Sequence, residues 1–324
     1  MTQLAASQDN PDIFFDPIAA IAATSQVTQT IQLGTAVTEV LRHHPVQLAQ
    51  SSLTLAHLAP GRINLGIGAG EPAKLRPFGL DFESPVSRLE EGLQIIRLLW
   101  STTEPVDFAG IHFQLSNAAL GLAPPPEGPP RLWVAAHGPR MLTLAARYGD
   151  GWLPTFLSVT DYAARLLALR AALADNGRQP DAVEAGMFAG VVVGKTRSEV
   201  SRLLASPLVR AMAITLPPSF YRERGFEPPL GDMYGMMEFD PSQISTADAL
   251  KVIDRVPPEI VADTLLHGTT EDVVEQILAY HRAGLRHIVL MNQTFFADAS
   301  LTRSSFEQLS EVRRLVGEQL EPAA

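Results

Sequence analysis

Short apolar runs alternate with longer amphipathic segments along most of the chain. The runs are nearly continuous in apolar residues, which is typical of strands that are buried on both faces of a parallel sheet. They predict strands at residues 31–37, 62–67, 131–136, 151–155, 186–193 and 286–292.

The amphipathic segments predict helices with clear starts. Ser84 is placed to cap one helix, and Pro85 fits the first position of that helix. Pro45 opens another helix, and a third begins at Thr269, carries acidic residues in its first turn and ends at Gly284. The alternation of strands and helices predicts an α/β fold, either a doubly wound sheet or a (β/α)8 barrel.

Two stretches interrupt this alternation. Residues 121–130 form a proline-rich loop, and residues 216–256 are rich in Gly, Pro, Met and aromatic residues without a clear period. A long irregular insertion in an α/β chain more often covers a ligand site than serves no purpose. We therefore expect a single domain over residues 1–324, with residues 216–256 as an insertion or lid within it.

Composition narrows the possible partners. The chain has 324 residues and a formal net charge of −10, which argues against nucleic acid or an anionic membrane surface as the main partner. No apolar run approaches the ~18 residues of a membrane span. Cys is absent, which excludes disulfides, zinc–thiolate sites and cysteine nucleophiles and fits the reducing cytoplasm that we expect as the location.

Residues 62–71, RINLGIGAGE, place three glycines at alternate positions where a predicted strand ends. The pattern is not the dinucleotide fingerprint G-x-G-x-x-G, because Glu71 stands where that fingerprint has its third glycine. Glycines in such a turn let a flat ligand approach the backbone. The alternative is a turn whose glycines serve only to pack a helix on a strand.

Four stretches of the chain resemble one family. They cover residues 31–50, 53–71, 133–152 and 284–292, with the motifs GTAVTEV, GIGAGE, VAAHGPR and RHIVLMN. Together they are similar to the luciferase-like monooxygenase superfamily, whose members are (β/α)8 barrels that use flavin or the deazaflavin coenzyme F420. The motifs GIGAGE and AAHGPRML favour the F420-dependent branch, and within it the phthiodiolone dimycocerosate-type ketoreductases of mycobacteria.

The resemblance implies two strands before the helix that begins near Asp16, the second of them ending in an Asp-His pair. The residues before Asp16 show no strand pattern, so we expect a barrel that lacks its first two strands, read from an internal start or a shortened gene model. Such a barrel has two unpaired edges. The family's His at the end of the second strand, to which the resemblance assigns a role in proton transfer, is therefore expected to have no counterpart in this chain.

The resemblance also implies which residues hold the cofactor. In barrels of this kind, ligands bind at the carboxyl ends of the strands. A non-prolyl cis peptide bond is expected at Ala36–Val37, a side chain at Gly68 or Gly70 would displace the ring, and free N–H groups before Pro139 suit the cofactor's phosphate. The cofactor-binding positions are Thr35, Ala36, Val37, Gly68, Ala69, Gly70, Ala135, Ala136, His137, Gly138, Pro139 and Thr155.

Glu71 and His137 are the candidate catalytic residues. Glu71 matches the family's acid beside the ring, where partial burial would raise the pKa of its carboxyl; the alternative is a solvated acid at a helix start. His137 is a candidate proton donor, although a lone His is more often a packing or hydrogen-bonding residue. His43 and His44 do not predict a metal site, because no carboxylate or third His lies at ligand spacing.

The resemblance thus predicts a coenzyme F420-dependent oxidoreductase. We expect a ketoreductase that transfers hydride between the reduced coenzyme and a carbonyl of a hydrophobic small molecule, in a homodimer. Two alternatives stay open: an FMN-dependent monooxygenase on the same barrel, and a non-catalytic flavin-binding or inactive truncated relative.

Overall fold

Nine strands form one parallel sheet in a computed structural model of the protein, which describes residues 4–7, 9–11, 14–155, 157–239 and 243–320. Two further strands, β5 and β6, form a separate antiparallel hairpin. The strands are β1 (Leu4–Ser7), β2 (Gln32–Thr35), β3 (Thr38–Glu39), β4 (Ile63–Gly68), β5 (Val106–Ala109), β6 (Gln114–Ala118), β7 (Arg131–Val134), β8 (Gly151–Trp152), β9 (Glu184–Val193), β10 (Leu266–Gly268) and β11 (His287–Asn292).

Helices connect these strands and cover the outer face of the sheet. In the described part of the chain, none of them is long and apolar enough to cross a membrane. The helices are α1 (Pro17–Val27), α2 (Pro45–Leu58), α3 (Pro85–Ser101), α4 (Pro139–Tyr148), α5 (Val159–Asp175), α6 (Arg197–Leu204), α7 (Pro207–Ala211), α8 (Pro218–Arg222), α9 (Gly235–Glu238), α10 (Thr246–Asp254), α11 (Pro258–Thr264), α12 (Thr270–Arg282), α13 (Thr294–Ala297) and α14 (Thr302–Leu320).

The sheet curls into a barrel-type fold. Its strand order is β1-β2-β4-β7-β8-β9, with β10 and β11 paired to β9 and β3 paired to β4. The outermost strands β1 and β11 approach each other in space, so the sheet curves back on itself. The predicted parallel α/β barrel architecture is confirmed, and each of the six predicted strands has a counterpart at the expected place.

The prediction that no strand precedes Asp16 was wrong. Leu4–Ser7 forms β1, which pairs in parallel with Gln32–Thr35. Its sequence, LAAS, lacks the β-branched residues that mark strands, so the strand depends on pairing with β2 rather than on local propensity. Asp9 and Asn10 follow β1, so Asn10 stands where the resemblance places a His; residues 1–3, 8, 12 and 13 lie outside the described part.

Three helix starts were predicted, and two of them are confirmed in full. Pro45 is the first residue of α2, and Thr269 forms a capping box with Asp272 at the start of α12. Ser84 precedes α3 but makes no side-chain capping bond, because its backbone adopts a left-handed conformation with φ of 49°. The prediction that Ser84 caps α3 was therefore wrong.

Trp133 fills the interior of the barrel. Its side chain occupies the space above Gly151 and Gly186, where an added Cβ would overlap the indole. Its indole N–H donates to Asn64 Oδ1 at 2.9 Å, and its ring lies 4.8 Å from the ring of His287. The interior is therefore packed solid below the carboxyl ends of the strands.

The predicted insertion is more ordered than its sequence indicated. It contains α8, α9 and α10, while residues 240–242 lie outside the described part of the chain. With the flanking α6, α7 and α11 it forms an apolar core of its own against the end of β9, which we call the insertion cluster. Its buried members are Val192, Val200, Leu203, Leu204, Val209, Ala213, Ile214, Leu216, Tyr221, Val256, Ile260, Val261 and Leu265.

Candidate active site

The predicted cofactor residues meet at one edge of the sheet. They follow β2, β4, β7 and β8, which are consecutive neighbours in the sheet, and the carboxyl ends of parallel strands lie at the same edge. The turns after β2, β4 and β7 touch: a Cβ added to Gly68 would lie 3.0 Å from Val37 Cγ2 and 3.4 Å from Ala135 Cβ. The geometry therefore brings together residues that are distant in sequence.

The end of β2 is fixed on β4. Thr35 Oγ1 donates to the carbonyl of Gly66 at 2.7 Å and accepts from the N–H of Gly66 at 2.9 Å. The peptide bond Ala36–Val37 is cis, as the resemblance predicted.

The glycines of GIGAGE have a structural reason within the protein. A Cβ on Gly66 would overlap the carbonyl of Thr35, and one on Gly68 would press against Val37. Gly70 has φ of +82°, a conformation that side chains disfavour, and its Cβ would meet Leu41 and Leu75 at 3.1 and 3.2 Å. The Cβ positions thus point at neighbouring protein groups, so the packing interpretation explains these glycines without a ring.

Glu71 is less enclosed than predicted. Its side chain is 35% exposed, and its carboxylate pairs with Lys74 Nζ at 3.0 Å across the 3-10 turn Pro72–Lys74. The insertion reaches this turn, because α9 packs against it. Tyr234 immediately precedes α9; burial raises the pKa of the Tyr234 hydroxyl, and the charge of Glu71 adds to the effect. Sequence alone placed Tyr234 in the lid but did not place it near Glu71.

His137 joins the ends of β7 and β8. Its Nε2 accepts from the backbone N–H of Thr155 at 3.3 Å, and its carbonyl accepts from the guanidinium of Arg165. Burial, with the nearby charge of Arg165, lowers the pKa of His137 to about 4. The imidazole is therefore neutral at pH 7 with its proton on Nδ1, and His137 orients the Thr155 backbone.

The start of α4 suits an anionic group. Gly138 is its N-cap residue, no side chain in the described residues caps it, and a Cβ on Gly138 would meet open space. Free N–H groups at such a start bind phosphates. Nearby, Thr155 Oγ1 is buried without a hydrogen-bond partner among the described residues. These groups fit a phosphate-bearing cofactor with a further donor beside Thr155.

A charged cluster that the sequence did not predict lies beside this edge. Asp9, just after β1, accepts from Arg42 Nη1 at 2.8 Å, from Thr38 Oγ1 at 2.6 Å, and pairs with His43 Nε2 at 2.8 Å. Arg42 also donates to the carbonyl of Lys74 at 3.1 Å, which links the cluster to the Glu71 turn. The available signal was the acid directly behind a strand, which was missed together with β1.

The two adjacent histidines serve different structural contacts. His43 pairs with Asp9, whereas His44 caps α2 by accepting from the N–H of Val46 at 3.3 Å and stacks edge-on against Phe113. In the described ranges, no three His, Asp or Glu side chains gather as metal ligands would.

An open concavity of about 560 Å³ lies at the opposite end of the barrel, near the start of β2. It is lined by Ser25, Gln26, Gln29, Thr30, Leu58, Pro60 and Arg62. The Arg62 guanidinium already donates to Thr28, Ile31 and Ser25. We place the candidate active site at the carboxyl edge rather than in this concavity, because Thr155 Oγ1 and Gln293 Oε1, which are buried without a hydrogen-bond partner among the described residues, lie at that edge.

Comparison with known proteins gives a consistent picture. The family profile described as "Luciferase-like monooxygenase" matches residues 2–287. The chain is 35% identical over 265 residues to the phthiodiolone/phenolphthiodiolone dimycocerosates ketoreductase of Mycobacterium tuberculosis, covering 81% of this chain and 70% of that protein. It is 30% identical over 262 residues to the 5,10-methylenetetrahydromethanopterin reductase of Archaeoglobus fulgidus, covering 81% and 77%.

Among solved structures, the fold is similar to an F420-dependent secondary alcohol dehydrogenase in complex with an F420-acetone adduct. The TM-score is 0.74 with 21% sequence identity, over 92% of this chain and 87% of that one. At this identity the likeness concerns the fold.

Proposed function

Since the chain belongs to the luciferase-like monooxygenase family, we propose that it is a coenzyme F420-dependent ketoreductase acting on a hydrophobic carbonyl compound. The reaction adds hydride to the carbonyl carbon and a proton to the carbonyl oxygen, which gives a secondary alcohol. The homodimer expected from the resemblance is part of this proposal.

One observation carries the proposal: 35% identity to enzymes named as ketoreductases, over 81% of the chain. Three of the four motifs that carry the resemblance, GTAVTEV, GIGAGE and VAAHGPR, lie at the carboxyl edge, which supports a site there. The coenzyme F420 is favoured over FMN by GIGAGE and VAAHGPR, which resemble the F420-dependent branch.

The site's own residues fit this cofactor. The open start of α4, at Gly138 and Pro139, would hold its phosphate, and Thr155 Oγ1 would take part in a hydrogen bond with its ring system. Thr35 and Val37 would support the ring from the β2 side. When bound, F420 supplies the hydride chemistry; the protein orients the reactants and excludes water.

Proton transfer falls to the remaining groups at this edge. Glu71 is the candidate acid, and Lys74 holds its carboxylate in place at 3.0 Å. His137 is neutral and engaged with Thr155, so we assign it to positioning and to its Nδ1–H donor. The insertion, with α9 packed beside the Glu71 turn and Met233 and Met237 partly exposed, would cover an apolar substrate with adaptable contacts.

Two experiments test the proposal: titration of the wild-type protein with each cofactor, and the kinetics of one substitution. Wild-type protein should bind F420 at least tenfold more tightly than FMN by calorimetry. Glu71→Gln should keep F420 affinity within about twofold and reduce 2-octanone turnover about 10²-fold, the lower range for an acid–base group. Tighter FMN binding would favour the monooxygenase instead, and normal turnover of Glu71→Gln would reduce Glu71 to a surface ion pair.

A further inference from the structure

Strand β9 places two glycines, Gly186 and Gly190, on the inner face of the barrel. Gly186, Phe188 and Gly190 share its inner face, because alternate residues of a strand point the same way and Gly186 lies against Trp133 in the interior. The residues between them face the helical layer, where Met187 and Ala189 are buried. Of the two glycines on the inner face of β9, Gly190 is therefore the one nearer to the carboxyl end of the strand.

The carboxamide of Gln293 fills the space above Gly190. A Cβ on Gly190 would lie 2.5 Å from Gln293 Nε2 and 2.6 Å from Leu265 Cδ2. Gln293 follows β11, and its N–H donates to the carbonyl of Val191 at 2.8 Å, which fixes its backbone on β9. The amide therefore lies at the junction between the barrel mouth and the insertion cluster, to which Leu265 belongs.

Gln293 is 1% exposed, yet its Oε1 has no hydrogen-bond partner among the described residues. Its two neighbours are fully engaged: Asn292 donates to Ser305 Oγ at 2.9 Å, and Thr294 Oγ1 binds both the N–H and the carbonyl of Val193. A buried amide oxygen without a partner is costly. Asn292 and Thr294 thus have protein partners, whereas the amide oxygen of Gln293 is available to a ligand.

Gln293 lies on the substrate side of the mouth. Phe188 of β9 pairs with Thr155 on one edge and with Val289 of β11 on the other. The proposed cofactor contacts all lie on the Thr155 side, after β2, β4, β7 and β8, whereas Gln293 lies on the β11 side next to the insertion.

We propose that Gln293 is a substrate-positioning residue, whose amide hydrogen-bonds the oxygen of the substrate, and that Gly190 provides the room for it. Oε1 accepts from the hydroxyl of a secondary alcohol, and Nε2–H donates to the oxygen of the corresponding ketone. The assignment rests on the proposed function, and it explains how an apolar site orients the one polar group of its substrate.

Gln293→Met tests the assignment, because Met has a similar length but no such donor or acceptor. With oxidised F420 and 2-octanol as the probe, the KM for the alcohol should rise about 3- to 10-fold, the effect of one neutral hydrogen bond. F420 affinity should stay within twofold, and the melting temperature of the free protein should not fall, since a buried unpaired group is removed. Gly190→Ala, which displaces the same amide, should raise the KM in the same direction.

A second measurement uses the wild-type protein and so does not depend on how the variant folds. 2-Fluorooctane, which lacks the O–H donor, should inhibit about 3- to 10-fold more weakly than 2-octanol binds. The assignment would be overturned if 2-fluorooctane and 2-octanol bound with equal affinity. It would also be overturned if Gln293→Met left the KM for 2-octanol unchanged, with or without a fall in melting temperature, or if this variant lost as much affinity for F420 as for the alcohol. Wild-type protein that fails to bind F420 overturns the proposed function itself, and this assignment with it.

Discussion

Asp9 contacts two basic side chains, Arg42 and His43, beside the proposed active site. The carboxylate is 7% exposed, and it contacts Arg42 and His43 at 2.8 Å each. Burial by itself would raise the pKa of Asp9, but the hydrogen bonds from His43 and Thr38 and the charges of His43 and Arg42 outweigh it, so the pKa is lowered. The same bond to Asp9 raises the pKa of His43 above its usual value, against the effect of burial.

These two shifts set a pH window for stability. The contribution of Asp9, whose pKa is lowered on folding, is present above about pH 4 and is lost as pH falls. The contribution of His43, whose pKa is raised, is complete below about pH 6.5 and is lost as pH rises through its folded pKa. Both contributions are therefore present in full between about pH 4 and 6.5, and the contribution of His43 decreases above that range.

Asp9→Asn should consequently lower the free energy of unfolding most at mildly acid pH. We expect a loss of about 2–3 kcal/mol at pH 5.5, since buried charged groups lose their partner, and a smaller loss at pH 8.5. Urea unfolding of both proteins at the two pH values measures the difference. His43→Gln is the matched control, because it should remove the pH dependence between 5.5 and 8.5; an Asp9→Asn loss equal at both pH values would contradict the window.

Helix α9 of the insertion packs at the edge of the sheet where the proposed active site lies. It packs on the turn that follows Glu71 and on residues Met212–Thr215. Gly235 makes the second contact possible, because a Cβ there would overlap the carbonyl of Ile214. Helix α9 therefore has a defined packing site between these two segments.

Gly235→Val should displace α9 from this packing site. We expect the KM for long-chain ketones to rise at least threefold, while the KM for acetone and the affinity for F420 stay within twofold, because short substrates need little of the lid. Gly121→Val is the matched control, since a Cβ at Gly121 meets nothing within 4 Å. Equal KM changes for acetone and 2-decanone would show that the insertion does not contact the substrate chain.

At the scale of the whole molecule, a charged contact between strands lies at the end of the barrel opposite to the proposed active site. At the amino-terminal ends of the strands, Glu184 of β9 contacts Arg131 of β7 at 2.7 Å and His287 of β11 at 3.5 Å, so one carboxylate ties three strands. The hydrogen bond from His287, with Arg131 adding, outweighs burial and lowers the pKa of Glu184 to about 2.

Glu184→Gln should therefore affect stability without affecting function. Since the folded pKa is lowered, the contribution of Glu184 is present above the unfolded carboxyl pKa of about 4.3 and is lost as pH falls toward 2. We expect a loss of about 1–2 kcal/mol at pH 7 that vanishes near pH 2, with KM and F420 affinity unchanged. Thermal unfolding from pH 2 to 7 and steady-state kinetics check both parts; an altered KM would show that the two ends are coupled.

Features that depend on local sequence could be predicted, whereas features that depend on contacts between distant parts of the chain could not. Continuous apolar runs such as residues 186–193 identified strands, because burial on both faces leaves a local signal. The four-residue β1 and three-residue β10 left none, since pairing with β2 and β9 forms them. Asp9 and His43 are 34 residues apart in the chain, and no local pattern connects them.

The three tryptophans make intrinsic fluorescence a probe of three different layers of the barrel. All are buried, and each indole N–H has a protein acceptor: Trp152 donates to the carbonyl of Ala136 at the carboxyl edge, Trp133 to Asn64 in the interior, and Trp100 to the carbonyl of Ala49 in the helical layer. Their emission should therefore be blue-shifted in the folded protein. We expect a cofactor that binds at the carboxyl edge to change the emission of Trp152 and Trp133. The emission of Trp100 should change only when the helical layer unfolds.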